Sequence, residues 1–176
     1  MIYKFEKEVE LIANEEIKIF TKRCIEAAPR YVFNIPSSSS GKHHPKDENN
    51  SGGQVLHTRR VVKIAEDLCR NFNIVGDDRD CVISAAIQHD FAKQGFPIDV
   101  GYTVDGHGSL WVQLLNNVVD RKEILKNPII TKIGRLIACH MGVWDIPYSV
   151  GRDNLELIVQ LADYISSRDY IRVEVY

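Results

Sequence analysis

No run of this chain is apolar for long enough to span a bilayer, which takes about 20 such residues, and no charge of one sign dominates it. Lysine and arginine number 22 against 24 aspartate and glutamate, a formal net charge of −2 with a pI near 6.3. Composition therefore gives no electrostatic case for a nucleic-acid or membrane-surface partner. Cysteine is scarce: Cys24, Cys69, Cys81 and Cys139 never approach CxxC spacing. That favours reduced, buried thiols over disulfides or a zinc knuckle, and reads Cys139 as a small packed residue rather than a soft ligand. The first seven residues, Met-Ile-Tyr-Lys-Phe-Glu-Lys, carry charge where a signal peptide has its apolar core. With the reduced thiols, this gives a cytoplasmic location as the expectation. No internal repeat is present, and Ser-Gly-Lys at 40–42 lacks the G-x-x-x-x-G-K-[ST] spacing of a P-loop.

What is present suits one domain over residues 1–176, since 44% hydrophobic composition at this length supplies a sizeable core. Strand-like alternation is confined to 171–176, so the fold expected is all-α. Residues 3–29 read as two helical pieces, the second capped by Asn14 and closed by Pro29. Residues 1–33 are then a cover for the core. Residues 34–53 are rich in serine, glycine, proline and asparagine and form the one low-complexity segment. A loop this long is either a solvated linker or a lid; Lys42, His43 and His44 could reach an anionic substrate if it is a lid. Residues 54–168 are the expected core.

Within that core, His57, Val61, Ile64 and Leu68 share a face of a helix over 54–72. The stretch 83–93, Ile-Ser-Ala-Ala-Ile-Gln-His-Asp-Phe-Ala-Lys, is an apolar helix ending in the pair His89-Asp90, with Lys93 one turn later. Asp78 is the expected cap of this helix, and Gly95 and Pro97 its expected end. A glycine-rich connection over 100–108 brings in His107, whose stripe continues through Leu110, Trp111, Leu114 and Val118. Asn127-Pro128 opens a helix in which Ile129, Ile133, Leu136 and His140 align, with Gly142, Asp145 and Pro147 breaking it. Asp153 and Glu156 form a capping box for a final helix over 155–166 that carries Asp163.

Singly, each inward histidine reads as a hydrogen-bonded core residue, and Asp163 as a partner for an arginine. Together, four of the six histidines and two aspartates lie at the ends of core-facing helices, and helix ends can converge on one point. Imidazole and carboxylate ligands without thiolate suit Fe, Mn, Zn, Ni or Co. Six ligands are too many for one catalytic ion with an open position, whereas two ions sharing a carboxylate use them naturally.

The order His57, His89-Asp90, His107, His140, Asp163 resembles the HD superfamily in its six-ligand dinuclear subset. The segments His89-Asp-Phe-Ala-Lys93 and Leu161-Ala-Asp-Tyr-Ile-Ser-Ser-Arg168 are similar to those of bacterial HD-type dinucleoside polyphosphate hydrolases. Gly52-Gly-Gln-Val-Leu-His-Thr58 resembles the first-ligand helix of HD-type nucleases and phosphodiesterases. The HD-GYP signature of cyclic dinucleotide phosphodiesterases is missing. The resemblance implies that His57, His89, Asp90 and Asp163 hold a first divalent transition metal ion. Asp90 bridges to a second, completed by His107 and His140. It implies that Lys93 binds a phosphoryl oxygen, though by position alone Lys93 is a cation favouring a helix C-terminus. Arg168 either contacts a phosphate or pairs with Asp169.

The expected function is a phosphohydrolase cleaving a phosphate ester or phosphoanhydride of a small, nucleotide-like substrate through a metal-bridged hydroxide, with Asp90 and Lys93 as catalytic residues. Two alternatives stay open: a mixed-valent di-iron oxygenase on the same ligand pattern, and a non-catalytic regulatory module. A homo-oligomer is compatible with this sequence, which specifies neither one substrate nor one native metal.

Overall fold

Seven α-helices run through the residues that the computed structural model describes, 4–115, 118–119, 126–144 and 153–175. They are α1 (Glu6–Glu10), α2 (Glu15–Ala27), α3 (Gly53–Asn71), α4 (Gly76–Gln88), α5 (His107–Leu114), α6 (Pro128–Ala138) and α7 (Asn154–Ser166). Short 3-10 turns lie at Arg30–Phe33, Lys46–Glu48 and Gly142–Trp144. Among the described residues there is no strand, and the fold is an all-α bundle. The alternating tail up to Val175 forms none either. Its Val173 carbonyl instead accepts from Arg60 Nε at 2.9 Å. No described helix is long and apolar enough to cross a membrane.

Helix α4 is the axis. Every residue from Asp80 to Gln88 is buried, so this helix has no solvent face from there on, as its nearly uniform apolar sequence requires. Helices α2, α3, α6 and α7 all pack on it, and α3 also lies along α7. The corner between α1 and α2 is pinned to α4 by Asp80, whose Oδ2 accepts the backbone N–H groups of Ala13 and Asn14 at 2.9 and 2.7 Å.

Local capping signals account for three of the seven helix starts. The Asn14 side chain accepts from the N–H groups of Glu16 and Ile17. Asn127 does the same for Ile129 and Ile130, with Pro128 as the first helical residue. Asp153 and Glu156 make a reciprocal capping box on α7. Asp78 does not cap α4. The chain turns through Gly76 at φ +61°, which leaves Val75 at the cap position. Asp78 sits in the first turn, where its charge suits the helix dipole, and pairs with Lys132. The same helix also ends earlier than Gly95: α4 stops at Gln88, and tight turns carry His89 to Gln94. Helix α6 ends at Ala138 and turns through Gly142 at φ +66°; Asp145 and Pro147 lie outside the described residues.

Cys24, Cys69 and Cys81 are buried and free. Burial pushes the Cys69 thiol up to about 11, Cys81 to about 12 and Cys24 higher still. Iodoacetamide at pH 8 is therefore expected to modify these three only as the protein unfolds. Alkylation in native buffer at the rate of free cysteine, read by mass spectrometry, would contradict this packing.

Candidate metal centre

Six side chains meet at one end of the bundle. His57 comes from the second turn of α3, and His89 and Asp90 from the turn directly after α4. His107 is the first residue of α5, His140 follows α6, and Asp163 lies in the last turn of α7. All four imidazoles and the Asp90 carboxylate are buried to within 3% of full exclusion, and Asp163 is half-buried. Close backbone approach makes room for them. A Cβ on Gly108 would lie 2.5 Å from the Ile137 carbonyl and 2.9 Å from His140 Nδ1, so α5 can meet the end of α6 only through glycine there.

The hydrogen bonds fix the tautomers. His89 Nδ1 lies 2.7 Å from the Ala86 carbonyl, His107 Nδ1 2.9 Å from that of Val104, and His140 Nδ1 2.7 Å from that of Ile137. A carbonyl only accepts, so each Nδ1 carries the proton and each neutral ring turns a bare Nε2 lone pair inward. The Nε2 atoms of His107 and His140 then face each other at 3.1 Å with no proton to share. His89 Nε2 is buried with no hydrogen-bond partner, 3.3 Å from Asp90 Oδ2, itself an acceptor. Buried lone pairs aimed at one another and at carboxylates are costly unless a cation stands between them.

The donors divide into two groups. His57, His89 and Asp163 form one, and Asp90, His107 and His140 the other, the ligand atoms within each lying within 4.8 Å of one another. His57 Nε2 is 3.0 Å from Asp163 Oδ1, and His107 Nε2 is 2.8 Å from Asp90 Oδ1. Asp90 spans both groups: Oδ1 faces His107 and His140, while Oδ2 faces His89 at 3.3 Å and His57 at 4.0 Å. This donor set fits divalent metals with nitrogen and oxygen ligands, the number and identity of the ions aside.

The electrostatics agree. Burial alone would raise the Asp90 carboxyl, yet Lys93 and the surrounding imidazoles hold it well below the usual carboxylate range. Burial also opposes ionisation of Asp163, but the bond to His57 outweighs it and holds this carboxyl below the usual range as well. For His57 burial works downward, but bonds to Asp163 and Glu48 outweigh it and raise the imidazole to about 9. His140 is raised against burial by Asp90, whereas burial wins at His89 and lowers it. The proton that His57 keeps up to about pH 9 offsets part of the negative charge of the metal-free cluster.

For the metal-free protein the sign of the His57 effect follows. Its folded pKa of about 9 exceeds the ordinary ~6.5 of histidine. Its contribution to stability is whole below pH ~6.5 and fades as pH rises through about 9. Urea midpoints of chelator-treated protein are expected to fall across that window, and to fall much less in His57→Gln. Equal slopes for the two proteins would contradict the pairing.

A cavity of about 570 Å³ opens onto the cluster. Asp90, His107, His140 and Asp163 form its floor, with Lys93, Arg168, His43 and His44 on its walls. Lys93 Nζ bonds Asp90 Oδ2 at 2.6 Å, and Arg168 bonds Ser167 Oγ and covers the Tyr164 ring rather than pairing with Asp169. Lys42 is exposed and does not line the cavity. Residues 34–53 are anchored at points, with Ser37 and Glu48 fully buried and Gln54 N–H donating to the Ile35 carbonyl at 3.0 Å, while residues 39–43 between them are exposed.

Two site residues carried no signal in the sequence. Gln54 donates to Asp90 Oδ2 at 2.9 Å, and Glu48 bonds His44 Nδ1 at 2.8 Å. Both depend on contacts between segments, and Glu48 lies in the low-complexity stretch.

No curated protein and no solved structure matches the chain significantly. The family model described as HD domain matches residues 55–168, well over half of the chain, and takes in all six of these side chains. That family is broadly one of metal-dependent hydrolases, and the His/Asp clusters are compatible with it. On this match and this geometry, the chain belongs to the HD domain family.

Proposed function

We propose that this protein is a metal-dependent phosphohydrolase, cleaving a phosphate ester or phosphoanhydride of a small nucleotide-like substrate. His57, His89, Asp90 and Asp163 would hold one divalent ion, and Asp90, His107 and His140 a second. The observation that carries this reading is the set of inward Nε2 lone pairs around Asp90 at the floor of a cavity with cationic walls. When bound, the ions supply an acidified water and Lewis-acid stabilisation of phosphoryl oxygens.

The chain's own residues do the rest. Two carboxylates on the floor would by themselves repel a phosphate, and with bound cations the same residues would attract one. Asp90, facing both groups, would offer one oxygen to each ion. Lys93, 8% exposed beside Asp90, holds an ammonium where charge builds on the phosphoryl oxygens. Arg168, His43 and His44 give the walls further donors for an anionic substrate, with the serines from Ser37 to Ser40 beside them. A cytoplasmic setting accords with the free buried thiols.

The test is a screen of nucleotides, dinucleoside polyphosphates and cyclic dinucleotides with Mn, Fe and Co, scored by phosphorylated product. Metal-dependent hydrolysis of at least one substrate is expected. Oxygen consumption by iron-loaded protein with no hydrolysis would assign it to oxygenase chemistry instead. Protein that neither loads metal nor gains stability from it would be a regulatory module.

A further inference from the structure

Three of the four inward imidazoles are held by a carbonyl of their own segment, three residues upstream: His89 on Ala86, His107 on Val104 and His140 on Ile137. His57 departs from this. It lies inside α3, where upstream carbonyls belong to the helix ladder. Its Nδ1 faces two side chains from elsewhere, Ser166 Oγ at 3.4 Å and Glu48 Oε2 at 3.5 Å.

Glu48 is the charged member of that pair and is fully buried. Its Oε1 accepts from Arg60 Nη1 at 2.6 Å, and its Oε2 lies 2.8 Å from His44 Nδ1. The rings of His44 and His57 consequently stand edge to face, 4.8 Å apart, with the carboxylate serving both. The sequence makes room for this with Gly52 and Gly53. Gly52 adopts φ +81°, and a Cβ on Gly53 would lie 1.8 Å from the Glu48 carbonyl. Only glycine lets the 3-10 turn Lys46–Glu48 cross the start of α3 this closely.

His44, Glu48 and His57 are also close enough to hold a cation of their own. Arg60 already supplies one to Glu48, so a further ion would sit against a guanidinium. The group serves another purpose.

We propose that Glu48 is a positioning residue that ties residues 36–45 to the first metal ion. It orients His57 from the side opposite Asp163 and holds His44 on the cavity wall through the same oxygen. Loading the ion orders His57, then Glu48, then the loop that carries His44 and the serines. Coupling of this kind is reciprocal: the factor by which the ion favours the seated loop is the factor by which the seated loop favours the ion. The inference rests on the metal reading above. A carboxylate behind a metal-binding imidazole typically contributes about 10–100-fold to affinity.

The experiment uses the full chain and Mn²⁺ alone, with two readouts: Mn²⁺ affinity from the free-ion EPR signal, and tryptic cleavage after the exposed Lys42. In the unaltered protein, Mn²⁺ is expected to slow that cleavage by roughly 5-fold or more. Glu48→Gln should weaken the tighter Mn²⁺ site about 10–100-fold and remove the protection. His44→Ala, at a half-buried position, should bind Mn²⁺ more weakly and lose the protection too. Unchanged affinity in Glu48→Gln, or unchanged protection in His44→Ala, would overturn the inference. If Glu48→Gln does not fold, His44→Ala decides alone. Unaltered protein that takes up no Mn²⁺ would sink the metal reading and this one with it, whereas intact binding in the variants sinks only this one.

Discussion

Asp90→Ala is expected to abolish metal loading and turnover together, lowering kcat/KM on the order of 10³-fold or more. Asp90 faces one donor group with each carboxylate oxygen, so its loss removes a ligand from both. It also strands Lys93, whose Nζ bonds Asp90 Oδ2 at 2.6 Å in a position only 8% exposed. Leaving a buried charge without its partner costs about 3–5 kcal/mol, so the alanine variant should melt well below the parent. Asp90→Asn separates the two effects. It keeps the shape of the side chain and an oxygen for Lys93, and should fold better while still failing to load both ions. Asp90→Asn with full metal content and full activity would contradict the role given to this carboxylate.

Lys93→Ala is expected to lower turnover about 10²–10³-fold while metal loading is kept or tightened. The sign of the metal effect follows from geometry. In the metal-free cluster Lys93 occupies Asp90 Oδ2, so ammonium and metal compete for one oxygen. Removing the ammonium clears that oxygen for the ion. It also leaves Asp90 with less compensation until an ion arrives, so the metal-free variant should be less stable than the parent and the metal-loaded variant close to it. Weaker metal binding in Lys93→Ala, measured by chelator competition, would show that Lys93 supports the ligand set rather than competing with it.

The ligand-bearing elements were legible because each announces itself locally. Helical spacing turns His57 toward Val61, and Asn127-Pro128 and the Asp153–Glu156 box mark where α6 and α7 begin. Reading the order of histidines and aspartates then required no knowledge of how the helices pack. Glu48 and Gln54 were illegible for the opposite reason. Glu48 sits among serines, asparagines and glycines that suggest solvent, and only Arg60, His44 and His57 arriving from other segments make it a buried anion. Gln54 reads as an ordinary first-turn residue until the chain folds Asp90 onto it, 36 residues away. Gly95 and Pro97 are strong stop signals, yet the chain already leaves α4 at His89, whose ring binds the Ala86 carbonyl. Asp78 illustrates a related limit. A favourable capping residue does not cap when a glycine two positions earlier lets the chain enter the helix sooner. Lys42 is charged and near the opening in sequence, but its neighbour His43 takes the wall position.

Everything above depends on cations satisfying the lone pairs that converge on Asp90. The most direct measurement is metal content: strip the protein with chelator, reconstitute with excess Mn²⁺, desalt, and determine ions per chain by mass spectrometry. The account predicts two per chain in the parent protein and fewer in Asp90→Asn. A parent protein that retains none would contradict it.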